Sequence, residues 1–214
     1  MKQETIELMN DFFNRHKDCE YLLDNMKKAV EILVESTKLN KILVCGNGGS
    51  AADSEHIAGE LLKSFVKKRP ITDENRKKLT DLWGEDGTFL ADNMQEGVKC
   101  IPLTSFCAYN TAFLNDCNEK LMFAQLVNVL GVEGDVMIAI STSGNSKNVV
   151  YAVQVAKAKG MKIIALTGEG GGKLKDMADV LLNAPSTETY RIQEYHLPFY
   201  HLLCLCLESE LFEK

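Results

Sequence analysis

Residues 135–168, DVMIAISTSGNSKNVVYAVQVAKAKGMKIIALTG, decide the fold of this 214-residue chain. Two short apolar runs, 135–141 and 162–168, lack the polar alternation of a half-exposed strand and read as strands covered on both faces. Between them, residues 146–160 set Val149, Val150, Val153 and Ala156 on one helical stripe, and Gly160 supplies the stop. Strand, helix and strand in that order form a parallel unit. Three further runs of the same kind, 41–46, 100–106 and 180–185, extend it, with helical patterns between most of them. The pattern predicts an α/β fold: a three-layer, doubly wound, five-stranded parallel sheet in one domain.

Working outward, the first 38 residues carry helical periodicity and no strand signal: Phe12, Phe13, Leu22, Leu23, Met26, Ala29, Ile32 and Leu33 recur at helical spacing. An N-terminal helical hairpin is expected. With two apolar faces and one small domain to bury them in, it is expected to pack on another subunit, which implies a homo-oligomer. Residues 66–99 depart from the rest. They hold seven basic and seven acidic residues, the single Trp83, and turn signals at Arg69-Pro70 and Glu85-Asp86-Gly87. They read as a helical insertion near the site, either a solvated excursion or a lid that shapes specificity.

Composition narrows the class of function. A net charge of −6 with scattered Lys and Arg leaves no footprint for nucleic acid. The opening MKQETIELMN is charged where a signal peptide needs an apolar core, and no stretch approaches the roughly 18 apolar residues of a membrane span. A cytoplasmic protein with no membrane partner is expected. The seven cysteines are odd in number, form no CxxC, and in four cases (Cys45, Cys100, Cys204, Cys206) lie in apolar runs. They read as reduced, buried small hydrophobes, and a thiolate zinc site is not expected.

Two loops carry the chemistry. After the first strand, Cys45-Gly46-Asn47-Gly48-Gly49-Ser50 turns directly into the helical pattern AADSEHIAGELL. Its glycines permit positive φ and close approach of a ligand, but the spacing is neither a dinucleotide fingerprint nor a P-loop. No nucleotide cofactor is expected. After the third strand, Ser141-Thr142-Ser143-Gly144-Asn145-Ser146 gathers four hydroxyls at the start of a helix. Together with helix N-terminal amides, that set suits a dianionic phosphate held without Arg or Lys. Simple N-capping by Ser143 or Ser146 is the plainer alternative.

Taken together, VCGNGGSAADSEHIAGEL (44–61), ISTSGNSKNV (140–149), ALTGEGGGKLKDMADV (165–180) and RIQEYHLPFYHLLCLCLE (191–208) resemble the sugar isomerase (SIS) domain family, in its phosphoheptose isomerase branch. The likeness covers nearly all the chain outside 66–99. It implies a flavodoxin-like fold, an aldose–ketose isomerase converting sedoheptulose 7-phosphate to a heptose 7-phosphate, a homotetramer, and a bound zinc ion. By position, the resemblance implies Glu60 and His201 as catalytic residues and His56, Glu60, Gln193 and His201 as metal ligands. It implies substrate contacts from Asn47, Gly48, Gly49, Ser50, Asp116, Ser141, Thr142, Ser143, Ser146 and Gln193. Two positions depart from the family: Ser64 stands where it usually has Arg, with Lys63 the nearby cation, and Tyr190 stands where it has Asp. Both bear on sugar recognition, so an isomerase of another phosphosugar stays open, as does a non-catalytic SIS protein that senses phosphosugars or binds a replication initiator.

The residues allow a mechanism. His56 and Glu60 are four apart and share a helix face, whereas Gln193 and His201 are about 80° apart around an ideal helix. Pro198 between them is expected to kink that helix or mark a new start, and His196 is a rival ligand. Isomerisation through an enediol needs one base near carbon and one acid near the carbonyl oxygen, which Glu60 and His201 would supply. A zinc ion polarising the carbonyl would compete with that role, because a metal-bound imidazole is no free proton carrier.

Overall fold

The computed structural model describes residues 1–212. Five parallel strands, β1 (Ile42–Cys45), β2 (Cys100–Pro102), β3 (Val136–Ile140), β4 (Lys162–Thr167) and β5 (Val180–Asn183), form one sheet in the order β2-β1-β3-β4-β5. The predicted doubly wound sheet is present. The second run is shorter than read, because the backbone leaves the sheet at Pro102, before the expected end at Phe106. Leu103 still donates to Val44 of β1, so the nitrogen of Pro102 faces the open side of this edge strand, where a missing N–H costs no ladder bond.

Strand periodicity sorts the core into two layers. In β3, Val136, Ile138 and Ile140 face one side, where they meet α1 (Gln3–Arg15), α2 (Leu23–Thr37), α3 (Gly49–Leu62) and α9 (Thr189–Leu211). Met137 and Ala139 face the other, against α7 (Met122–Leu130) and α8 (Lys147–Ala158). Helices α4 (Asp73–Trp83), α5 (Glu85–Asn93) and α6 (Cys107–Asp116) complete the chain.

Both N-terminal helices form, but each packs on α9 more than on the other, and their apolar faces find cover within the same chain. In α2, Met26, Ala29, Val30 and Leu33 repeat at i, i+3, i+4 and i+7 and are fully buried within the same chain. Phe12, Phe13 and Leu22 are buried as well. Long α9 makes this possible, since α1 and α2 both pack along it and the two helices gain a further surface besides the sheet. Burial of each Leu or Met there contributes roughly 1.5–3 kcal/mol. Helix α9 runs without interruption through Pro198, so the proline marks no new start. The cysteines are free, with Cys45, Cys100, Cys204 and Cys206 buried as expected. No helix among the described residues is long and apolar enough to cross a membrane.

Candidate active site

The strand order reverses between β1 and β3, where helices leave on opposite faces and open a crevice at the strand carboxyl ends. Both loops singled out in the sequence lie there. Gly48 takes φ of 57°, open chiefly to glycine, to start α3. A Cβ on Gly49 would lie 2.4 Å from Nε2 of Gln193, so this glycine lets the α9 amide rest against the loop backbone. Ser50 is buried against Gly46. Asn47 and Asn148 exchange two amide hydrogen bonds of 3.0 and 2.8 Å, tying the start of α3 to the start of α8.

In the second loop the hydroxyls are divided. Ser141 Oγ donates to Ser146 Oγ at 3.0 Å, and Ser143 Oγ accepts from the Asn145 amide at 3.2 Å. Ser146 is the N-cap residue of α8, yet its side chain makes no capping bond. The plain capping alternative therefore does not account for this serine. Gly144, at φ 64°, would drive a Cβ to 2.0 Å from the Gly171 carbonyl, so GEGGG packs on this loop backbone to backbone. Thr142 is half-buried, and its carbonyl accepts from Gly168 at 2.9 Å.

On the α3–α9 side, His56 Nε2 lies 3.2 Å from Glu60 Oε1, and Lys63 Nζ donates to Glu60 Oε2 at 3.1 Å. The His201 ring meets the His56 ring edge-on at a centroid distance of 5.0 Å. Glu60 and His201, separated by most of the chain, thus flank the same imidazole. Burial, and then the neighbouring His56, hold the His201 pKa below the usual histidine range against the opposing pull of Glu60. Its Nε2 is buried and makes no hydrogen bond. His196 points elsewhere: it is fully buried, with Nε2 3.1 Å from the Thr167 carbonyl at the end of β4. Burial pushes its pKa down to about 4, against the upward pull of that carbonyl.

The remaining positions are peripheral. Asp116 ends α6, exposed and bonded to the Asn115 amide at 2.8 Å. Tyr190 is exposed and donates to Glu188 at 3.0 Å. As placed, no three His, Cys, Asp or Glu side chains among the described residues converge closely enough to hold a metal ion. The donor types nevertheless suit zinc, since His56 Nε2 and Glu60 Oε1 lie 3.2 Å apart and His201 has an unpartnered ring nitrogen.

Four supporting residues escaped the sequence reading. Tyr200 Oη stands 2.9 Å from His56 Nδ1 and 3.2 Å from Asp53 Oδ1. Asp53, His56 and Glu60 recur at i, i+3 and i+7, a spacing that could have flagged the aspartate. Tyr200 sat unmarked in an apolar run. Arg69 and Glu208 form an ion pair of 2.8 Å with both side chains at 0% exposure. The guanidinium also donates to the carbonyls of Leu61 at 2.9 Å and Glu60 at 3.4 Å, occupying the open C-terminal end of α3. Burial alone would raise the Glu208 pKa, but the amides of Phe65, Val66 and Lys67 and the Arg69 charge outweigh it and hold the carboxyl below its usual range. Arg69 read only as a turn signal.

Fold and side chains define a doubly wound α/β protein with a hydroxyl-rich loop at the carboxyl end of β3 and a carboxylate–imidazole cluster where α3 meets α9. The SIS domain family profile matches residues 11–83 and 110–168. A phosphoheptose isomerase of Helicobacter pylori (strain P12) is 37% identical over 214 residues, covering 97% of this chain and 98% of that protein. The structure of phosphoheptose isomerase GmhA from Neisseria gonorrhoeae superposes with a TM-score of 0.71 at 34% identity, covering 96% of this chain and 94% of the other. That of a phosphoheptose isomerase from Francisella tularensis gives 0.74 at 29% identity, covering 98% and 100%. The chain belongs to the SIS-domain family of phosphoheptose isomerases, enzymes of the intramolecular oxidoreductase type.

Proposed function

We propose that this enzyme interconverts sedoheptulose 7-phosphate and an aldoheptose 7-phosphate, with Glu60 and His201 moving the protons. The observation that supports the reading is the meeting of α3 and α9 at His56, whose ring has the Glu60 carboxylate on one side and the His201 imidazole on the other. The ester phosphate is assigned to Ser141, Thr142, Ser143 and Ser146 at the start of α8, with Asn47, Gly48, Gly49, Ser50 and Gln193 lining the sugar and Asp116 an outlying contact. Glu60 takes the proton from carbon, and His201 delivers one to the carbonyl oxygen as the enediol forms; the reverse direction exchanges the roles. Lys63 and the His56 ring keep the Glu60 carboxylate aimed.

Zinc is the competing form of this reading, with His56, Glu60, Gln193 and His201 as the residues that would hold it in place of acting as free proton carriers. When bound, the ion would supply Lewis-acid polarisation of the carbonyl. The unpartnered His201 Nε2 supports it. A homotetramer is proposed as well, supported by the exposed Leu82, Trp83 and Phe89. A cytoplasmic setting suits the free cysteines.

Glu60→Gln and His201→Ala are each expected to lower turnover of sedoheptulose 7-phosphate by about 10²–10⁴-fold with thermal unfolding unchanged. Near-normal turnover by Glu60→Gln would remove the acid–base assignment, and full activity after complete metal removal would remove zinc from the mechanism. Because Ser64 and Tyr190 depart from the family pattern, a panel of five- to seven-carbon sugar phosphates tests the substrate. Faster turnover of a shorter sugar would replace the heptose.

A further inference from the structure

We infer that Asp53 and Tyr200 are positioning residues that lock His56 with its proton on Nδ1, so that the Nε2 lone pair is turned on Glu60. The inference deepens the proposed site and rests on that reading only where zinc is the probe.

The argument follows from donors and acceptors along one line of contacts. Tyr200 is 1% exposed, and its hydroxyl has two polar neighbours, Asp53 Oδ1 at 3.2 Å and His56 Nδ1 at 2.9 Å. A phenol has one proton to give, and an ionised carboxylate can only accept. Burial raises the Asp53 pKa, against the pull of the Tyr200 hydroxyl and of His56, and wherever the carboxylate is ionised the Tyr200 proton is committed to it. What remains toward His56 is a lone pair, which demands that Nδ1 carry the hydrogen. A neutral imidazole so arranged has its only free lone pair on Nε2.

That nitrogen lies 3.2 Å from Glu60 Oε1. Two lone pairs at such a separation repel unless a positive centre is shared between them. A proton or a metal ion satisfies the pair equally, and Lys63, already on Glu60 Oε2, occupies the other oxygen and leaves Oε1 for this purpose. The edge-on contact of the His56 and Tyr200 rings, at 5.4 Å between centroids, holds the imidazole plane against rotation. Carboxylate-to-imidazole relays of this kind orient metal-binding histidines and raise their basicity. Here a buried tyrosine extends the relay by one link.

The test begins with the wild-type protein, stripped of metal, in a long-range ¹H–¹⁵N correlation of the histidine rings at mildly alkaline pH, with His56 assigned through His56→Gln. His56 is expected to show the Nδ1–H pattern, and Tyr200→Phe to redistribute it toward Nε2–H. Zinc affinity, read by chelator competition, is expected to fall about 10–100-fold in Tyr200→Phe and in Asp53→Asn. An Nε2–H pattern in the wild type would overturn the inference, because it would mean that the chain of bonds runs the other way from a protonated Asp53. So would a tautomer left unchanged in a folded Tyr200→Phe. If the wild type binds no zinc, the metal part of the proposed function fails, while the ring spectrum still decides the tautomer.

Discussion

Two helix pairs of this chain, α3 with α9 and α4 with α5, are built in opposite ways. The first pair buries its facing surfaces and places between them a continuous set of polar groups: Asp53, Tyr200, His56 and Glu60, then Arg69 and Glu208. The second buries almost nothing. No residue of α4 is buried, α5 buries only Gly87 and Ala91, and Trp83 is 65% exposed. In the first pair, low-dielectric surroundings strengthen the fully buried Arg69–Glu208 contact most and make its loss costly, while the contacts of Tyr200 are part-buried. In the second, water competes for every ion pair, as with Lys77–Asp81 and Lys78–Glu74. The proposed chemistry sits beside the pair whose geometry packing enforces, and the exposed pair holds its place chiefly through α4–α5 contacts. Arg69 stands at the border, its guanidinium committed to the end of α3 and the loop beyond it leading out to α4.

The largest expected effect that sharpens this contrast comes from breaking the buried ion pair. Glu208→Ala should lose about 3–5 kcal/mol of stability in urea unfolding at neutral pH, because it strands the Arg69 charge and three backbone amides. The pH dependence carries a sign. A carboxyl whose pKa is lowered by folding stabilises above the ordinary carboxylate range and loses that contribution as pH falls through its folded value. The gap between wild type and variant should therefore narrow in acid. A gap that stayed constant would show that Glu208 works by packing alone.

His196 supplies the next effect. Its folded pKa is pushed down to about 4 from an ordinary 6.5, so between those values the unfolded chain binds a proton that the folded chain refuses. Stability should fall by on the order of 3 kcal/mol as pH drops through that window and level off below it. His196→Gln should flatten this limb of the urea-unfolding profile, and an unchanged slope would assign the acid loss to other groups.

The smallest effect belongs to the exposed pair. Trp83→Ala should change chain stability by less than about 0.5 kcal/mol. If the apolar face of α4 and α5 is covered by a second copy, the same substitution should shift the sedimentation of the assembly toward smaller species. A stability loss comparable to that of Glu208→Ala would dissolve the contrast between the two pairs.

The sheet was legible because buried parallel strands are short apolar runs with helices between them, and four of the five runs lie close to where they were read. The second run was read too long because its apolar residues continue past Leu103, where the last bond to β1 is made. The first Gly-rich loop and the Ser/Thr loop could be found because each is a local feature at a strand end. Glu60 and His56 could be paired by helical spacing. What escaped was non-local. Tyr200 looked like one more apolar position, and Arg69 like part of a turn, because nothing near either of them in the chain reveals Asp53 or Glu208.

Residue order alone was enough for the parallel architecture, the placement of both loops at strand ends, and the types of donor available for a phosphorylated sugar. Those follow from periodicity and backbone chemistry, which act over a few residues. Folding was needed to bring His201 against His56, to bury the N-terminal helices along α9 within their own chain, and to aim a tyrosine hydroxyl between an aspartate and an imidazole. Contacts of that kind depend on where whole helices come to rest on the sheet, and packing sets that through surfaces contributed from distant parts of the chain.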